Sequence, residues 1–184
     1  MDKKETNIQG CYELFPRVFK DQRGKLIKTF HHDTFSELGL EVVFKEEYFS
    51  VSAIGVLRGL HFQLPPNDHI KCVTCLSGRL FDVVVDLRKN SPTFGKHFTT
   101  ELDSELGNMV YIPSGCAHGF FTLTDQAIFL NRTTSVFSPD SDTGIRWDSC
   151  GIPWPDPNPI LSEKDKNLIK FSDFTSPFPA KKSF

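Results

Sequence analysis

The sequence predicts an all-β protein, a closed sandwich or barrel, on three observations. Eighteen of the 184 residues are phenylalanine, a large flat side chain that packs well on pleated surfaces. Short runs rich in Val, Ile, Phe and Thr recur between Gly, Pro, Asn and Asp punctuation. Helical periodicity is nearly absent, which argues against alternating βαβ units.

Taken in chain order, the apolar and β-branched runs predict strands at 12–19, 25–30, 42–50, 56–62, 71–77, 79–86, 95–102, 108–112, 118–123 and 127–134. Helices are expected at 33–40, where Phe35 and Leu38 stand three apart, and at 162–169. Ser77-Gly78 between two apolar runs reads as a hairpin turn, and Phe81-Asp82-Val83-Val84-Val85-Asp86 as a mostly buried strand. From Gly144 the composition changes: Trp147, Pro153, Trp154, Pro155, Pro157 and Pro159 cluster. Each proline removes a ladder donor, so this segment should wrap the barrel in extended form, its tryptophans packed on it.

A mass of 20.9 kDa suits one domain over 1–184. With 21 basic against 23 acidic residues, net charge −2, no cation excess exists to neutralise a phosphate backbone, so nucleic acid is not the expected partner. No apolar run approaches membrane-spanning length and no signal-peptide core follows Met1-Asp2-Lys3-Lys4, so a cytoplasmic protein without a membrane partner is expected. The five cysteines, Cys11, Cys72, Cys75, Cys116 and Cys150, read as reduced thiols. Cys72-Val-Thr-Cys75 has ligand spacing but no second pair, and reads as two small apolar residues in a strand.

Gly107-x5-Pro113-Ser-Gly115-x2-His118-x3-Thr122 resembles the second signature of the cupin superfamily, jelly-roll barrels in which this histidine faces the cavity; Thr122 stands where the superfamily has Asn. The first signature would carry a His-x-His pair and a glutamate as metal ligands. Here Gly55-x5-His61-Phe-Gln63 holds a carboxamide instead. His61, Gln63 and His118 are a poor cage for a transition metal, so no metal is expected.

Longer matches are more specific. Val56-Leu-Arg-Gly-Leu-His61-Phe-Gln63, Val84-Val-Asp-Leu-Arg-Lys-Asn-Ser-Pro-Thr-Phe-Gly95, Ile112-Pro-Ser-Gly-Cys-Ala-His-Gly-Phe120, Leu161-Ser-Glu-Lys-Asp165 and Phe19-x-Asp21-x-Arg23-Gly24 are similar, in order and spacing, to the dTDP-4-dehydrorhamnose 3,5-epimerase family. The resemblance covers nearly the whole chain. It implies a cupin jelly roll without cofactor, a homodimer whose N-terminal strand completes the neighbour's site, and a nucleotide-diphospho-4-keto-6-deoxyhexose substrate. The product would be a deoxysugar for a surface polysaccharide or a secondary metabolite. It implies that His61 is the base, Asp165 its carboxylate partner, Lys71 the cation facing the enolate oxygen and His118 a second imidazole in the cavity. Alternation from Lys71 through Val73 and Cys75 agrees with an inward lysine. Substrate contacts are implied for Arg58 and Arg23 at the diphosphate, Arg23 coming from the partner subunit, and for Lys28, Glu46, Tyr48, Gln63, Phe120, Asn131, Phe137, Asp142 and Lys164.

The chain departs from the pattern at the proton donor. The family's acid is a tyrosine in a Tyr-Lys-x-Thr run, where this chain reads Asn131-Arg-Thr-Thr, and a carboxamide cannot act as that acid. Four outcomes stay open: inversion of one centre only, replacement of the acid by another group such as Cys116, loss of catalysis leaving a sugar-nucleotide binding module, or a normal 3,5-epimerase with its acid elsewhere. At the nucleotide end the family has Glu where Lys28 stands, Gln-Asp-Asn where Glu46-Glu47-Tyr48 stand, and Tyr where Phe137 stands. Reversed charge at Lys28 opens other nucleotides, cytidine among them, and with them mono-epimerase or ketoisomerase chemistry.

Overall fold

The computed structural model describes residues 1–179; the end of the expected domain, 180–184, lies outside the described residues. The chain runs through β1 (Asp2–Glu5), β2 (Tyr12–Phe15), β3 (Val18–Asp21), β4 (Gly24–Ile27), α1 (His32–Glu37), β5 (Glu46–Ala53), β6 (Leu57–Gln63), β7 (Lys71–Ser77), β8 (Arg79–Asp86), β9 (His97–Asp103), β10 (Met109–Ile112), β11 (Cys116–Thr122), β12 (Gln126–Thr133), β13 (Asp142–Gly144) and α2 (Glu163–Lys166). A six-stranded sheet, β1-β2-β10-β7-β12-β5, faces a five-stranded sheet, β13-β6-β11-β8-β9, and β3-β4 form a separate hairpin. The all-β prediction holds, with two short helices.

Between the sheets, Val73, Cys75, Leu80, Val84, Val110, Ile112, Phe120 and Phe129 form one buried cluster. Along β12 the inward residues run Ala127, Phe129, Asn131, Thr133; the first two join that cluster, and Asn131 and Thr133 line cavities. The interior is thus sealed at one end and open at the other. Cys72 belongs to a different cluster, on the outer face with Phe35, Met109 and Tyr111. Residues three apart on a strand face opposite ways, so Cys72 and Cys75 cannot share a ligand. The Pro/Trp-rich segment covers the outer face of the five-stranded sheet as expected. Trp154, Phe171 and Phe174 pack on Leu60, Phe62, Val83 and Val85, with ring centroids 5.2 Å apart for Phe62–Phe174 and 5.8 Å for Phe81–Trp154.

Three boundaries differ from the sequence reading. The expected strand 12–19 is two strands, because Pro16 interrupts the ladder and sends β3 into the hairpin. Ser77-Gly78 is not a hairpin turn: β7 and β8 lie in opposite sheets. Gly78, at φ 77°, carries the chain across where a Cβ would meet the Gln126 carbonyl at 2.4 Å. β13 is too short for periodicity to reveal, yet pairs Gly144 with His61.

Gly59 and Gly119 let β6 and β11 approach closely. A Cβ on Gly59, at φ 145°, would lie 2.6 Å from Gly119 Cα, a clash with backbone that no rotamer relieves. Gly59→Ala is therefore expected to destabilise by about 3 kcal/mol, strain and overpacking combined. That corresponds to a Tm lower by roughly 6–12 °C in a thermal unfolding scan.

Candidate active site

The site is assembled at the open end from both sheets. β6 supplies Arg58 and His61, three apart, which strict alternation would place on opposite faces. The β6–β11 ladder pairs His118 with His61 but Phe120 with Arg58, so β6 carries one extra residue between them. This bulge brings both side chains to the same cavity.

α2 is only one turn long, and it holds Asp165. Ser162 caps it, its Oγ accepting from the Asp165 amide at 3.1 Å. The Asp165 carboxylate, 2% exposed, lies 2.6 Å from His61 Nε2. Burial alone would raise this carboxyl; the hydrogen bond and charge of His61 leave it below the ordinary carboxylate value. Asp165 holds the Nε2 proton, so the neutral ring presents Nδ1 as its basic nitrogen.

Lys71, the first residue of β7, points inward as alternation predicts and is 6% exposed. Its Nζ donates to the His61 carbonyl at 2.9 Å. Burial pushes the ammonium down to about 8 against the partial support of Asp142 and Asp82, so it is a cation held close to its titration point. His69 nearby is pushed down to about 3 by burial and by Lys71, and stays neutral.

Two adjoining cavities of about 360 and 250 Å³ share Tyr48, His61, Lys71 and Lys164. The smaller adds Arg58, His118, Phe120, Asn131 and Asp165. The larger adds Glu46, Gln63, Phe137 and Asp142. Arg58 is aimed by β5, its Nε donating to Ser52 Oγ at 3.0 Å. Lys164 pairs with Asp142. Phe137 is 58% exposed at the rim, its amide donating to Glu46.

Several expected residues take a different part. Gln63 lines the larger cavity, yet its amide is engaged by the Asn67 carbonyl at 2.8 Å and the Ser138 amide at 2.6 Å, so it pins two loops instead of reaching inward for substrate. His118 does line the smaller cavity as expected, buried, with Nε2 2.7 Å from Asp82 and its ring stacked on Phe129 at 5.6 Å. Asp82 was missed by the sequence reading; its signal was a lone carboxylate inside an apolar strand. Cys116 belongs to the apolar cluster between the sheets and lines neither cavity, so its thiol does not face the space where a substrate would sit. Arg23 and Lys28 do not reach these cavities: Arg23, on the β3–β4 hairpin, forms an exposed pair with Asp21 at 2.6 Å, and Lys28 lines separate surface clefts. Among the described residues no group of three or more His, Cys, Asp or Glu side chains could hold a metal ion.

A family model described as dTDP-4-dehydrorhamnose 3,5-epimerase matches residues 5–173. The chain belongs to this family. The Shigella flexneri dTDP-4-dehydrorhamnose 3,5-epimerase is 43% identical over 176 residues, 94% of this chain and 97% of that one. Among solved structures, the dTDP-4-dehydrorhamnose 3,5-epimerase of Elizabethkingia anophelis superposes with a TM-score of 0.88 at 39% identity, covering 94% of this chain and 97% of that one. The dTDP-6-deoxy-D-glucose-3,5-epimerase of Legionella pneumophila, in complex with dTDP-4-keto-L-rhamnose, gives 0.90 at 34% identity, covering 95% and 94%. Membership confirms the cupin-type jelly roll and makes this epimerase-family chain an isomerase.

Proposed function

We propose that the chain epimerises a nucleotide-diphospho-4-keto-6-deoxyhexose of the dTDP-4-dehydrorhamnose type by proton transfer at a carbon beside the ketone. The observation that carries this is the His61–Asp165 pair at 2.6 Å lining the same cavity as the buried ammonium of Lys71. A hydrogen next to a ketone becomes acidic only when the enolate oxygen is stabilised, and a cation fixed in a dry pocket does this without reorganisation. His61 Nδ1 takes the proton, Asp165 stabilises the resulting imidazolium, and Lys71 meets the oxyanion. Arg58 adds positive charge for the diphosphate. The larger cavity, with Phe137 at its rim, offers a ring on which a base can stack.

The same reading makes the enzyme a homodimer. Support comes from apolar side chains left open to solvent: Phe49 (65%) and Val51 (45%) on the edge strand β5, and Phe19 (46%) and Leu26 (56%) on the hairpin that carries Arg23. Arg23 would then serve a neighbour's diphosphate site.

The test is solvent exchange. Protein incubated in D2O with dTDP- or CDP-4-keto-6-deoxyglucose should place deuterium at carbon 3, carbon 5 or both, read by NMR. No label from either nucleotide, with binding intact, would sink the assignment.

A further inference from the structure

We propose that Tyr48 is the proton donor of the reaction, delivering the phenolic hydrogen to the carbanion carbon on the face opposite His61. This deepens the epimerase reading and rests on it. Inversion needs two groups on opposite sides of one carbon, and the fold supplies that opposition: His61 stands on β6 of the five-stranded sheet, Tyr48 on β5 of the six-stranded sheet. Both side chains line both cavities.

Tyr48 is held for this part by its cross-strand neighbour. The β12–β5 ladder sets Asn131 directly opposite Tyr48, and Asn131 Nδ2 donates to the Tyr48 hydroxyl oxygen at 2.8 Å. That bond occupies a lone pair and leaves the O–H free to point at a substrate. Burial and nearby carboxylates keep the phenol above its ordinary value, so it carries its proton at neutral pH.

Other candidates in the cavities are spoken for. Lys71 faces the oxyanion, Lys164 is paired with Asp142 and His118 with Asp82. The Ser50 hydroxyl is buried without a partner, but an alkyl alcohol is a far weaker acid than a phenol. The step balances without a co-reactant. The C–H bond breaks toward His61, the O–H bond of Tyr48 breaks toward the same carbon from the other side, and the tyrosinate and imidazolium return to their starting forms by exchange with water.

Tyr48→Phe removes one oxygen and leaves the buried Asn131 carboxamide without its partner, a loss that a cooperative thermal unfolding transition separates from any loss of inversion. In D2O, with whichever of the two nucleotide sugars the wild type turns over, this variant should still wash deuterium into the substrate within a few-fold of the wild-type rate. It should do so with configuration retained, because His61 can return a solvent deuteron to the face it deprotonated. Formation of the epimer should fall by roughly 10²–10⁴-fold. Asn131→Ala, which keeps the hydroxyl but releases it, should give an intermediate loss of inversion with exchange intact. Epimer formation at the wild-type rate in Tyr48→Phe, or parallel loss of exchange and inversion, overturns the proposal. Failure of the wild type to exchange with either nucleotide is a separate result, seen before any variant is made, and removes the reading on which the proposal stands.

Discussion

Lys71→Met should extinguish proton exchange beside the ketone, by on the order of 10³-fold or more, and at the same time make the protein more stable. Loss of one preorganised donor to an oxyanion costs 10²–10³ in rate, and a cation in a dry site exceeds a neutral donor. The stability gain has the same origin. Burial lowers the ammonium from 10.5 to about 8, which at 1.36 kcal/mol per unit makes the charged lysine cost about 3 kcal/mol at pH 7. Methionine fills similar volume without that cost but forfeits the bond to the His61 carbonyl; a net gain of about 2 kcal/mol is expected. The sign of the pH dependence follows. Between pH 8 and 10.5 the unfolded chain binds a proton that the folded chain does not, so wild-type stability rises with pH across this window. The advantage of Lys71→Met in urea unfolding should shrink accordingly and vanish near pH 10.5. Catalysis runs the other way: kcat/KM should fall as pH rises through about 8, as the cation is lost. A stability difference independent of pH across this window would show that burial does not lower the ammonium.

Asp165→Asn should lower kcat by about 10³-fold with KM little changed. A carboxamide has the shape of the carboxylate, but it can donate to His61 Nε2 and leave the ring proton on Nδ1, the nitrogen that must accept. It also cannot stabilise imidazolium. Substrate contacts would survive, since Asp165 faces the imidazole and the capped turn. A raised KM with normal kcat would instead mean that the residue only seats α2.

The fold and half of the site were legible for different reasons. Alternation put Lys71 on the side of Val73 and Cys75 and the family resemblance supplied its place in the cavity, and the structure has all three facing inward. The Pro/Trp segment announced an extended cover because its rings needed a surface, which Phe62 and Phe81 provide. Asp165 could not be read locally: it sits in a polar stretch that looks like a solvated helix cap, and its value comes from a neighbour 104 residues away. Arg58 and His61 share a cavity through a bulge, which a period of two cannot anticipate. The link between Tyr48 and Asn131 depends on strand register, and register between β5 and β12 is set by pairing across the whole sheet.

β5 hydrogen-bonds to a strand on one side only and closes the six-stranded sheet, whereas β6 and β7 are gripped on both sides. His61 and Lys71 therefore sit on strands held from both sides, while Tyr48, the residue beside Asn131, rides on an edge strand. Stereochemical outcome becomes the adjustable property of this architecture: a descendant could change which centre flips, or stop flipping any, by altering a border residue and leaving the carbon-acid machinery untouched.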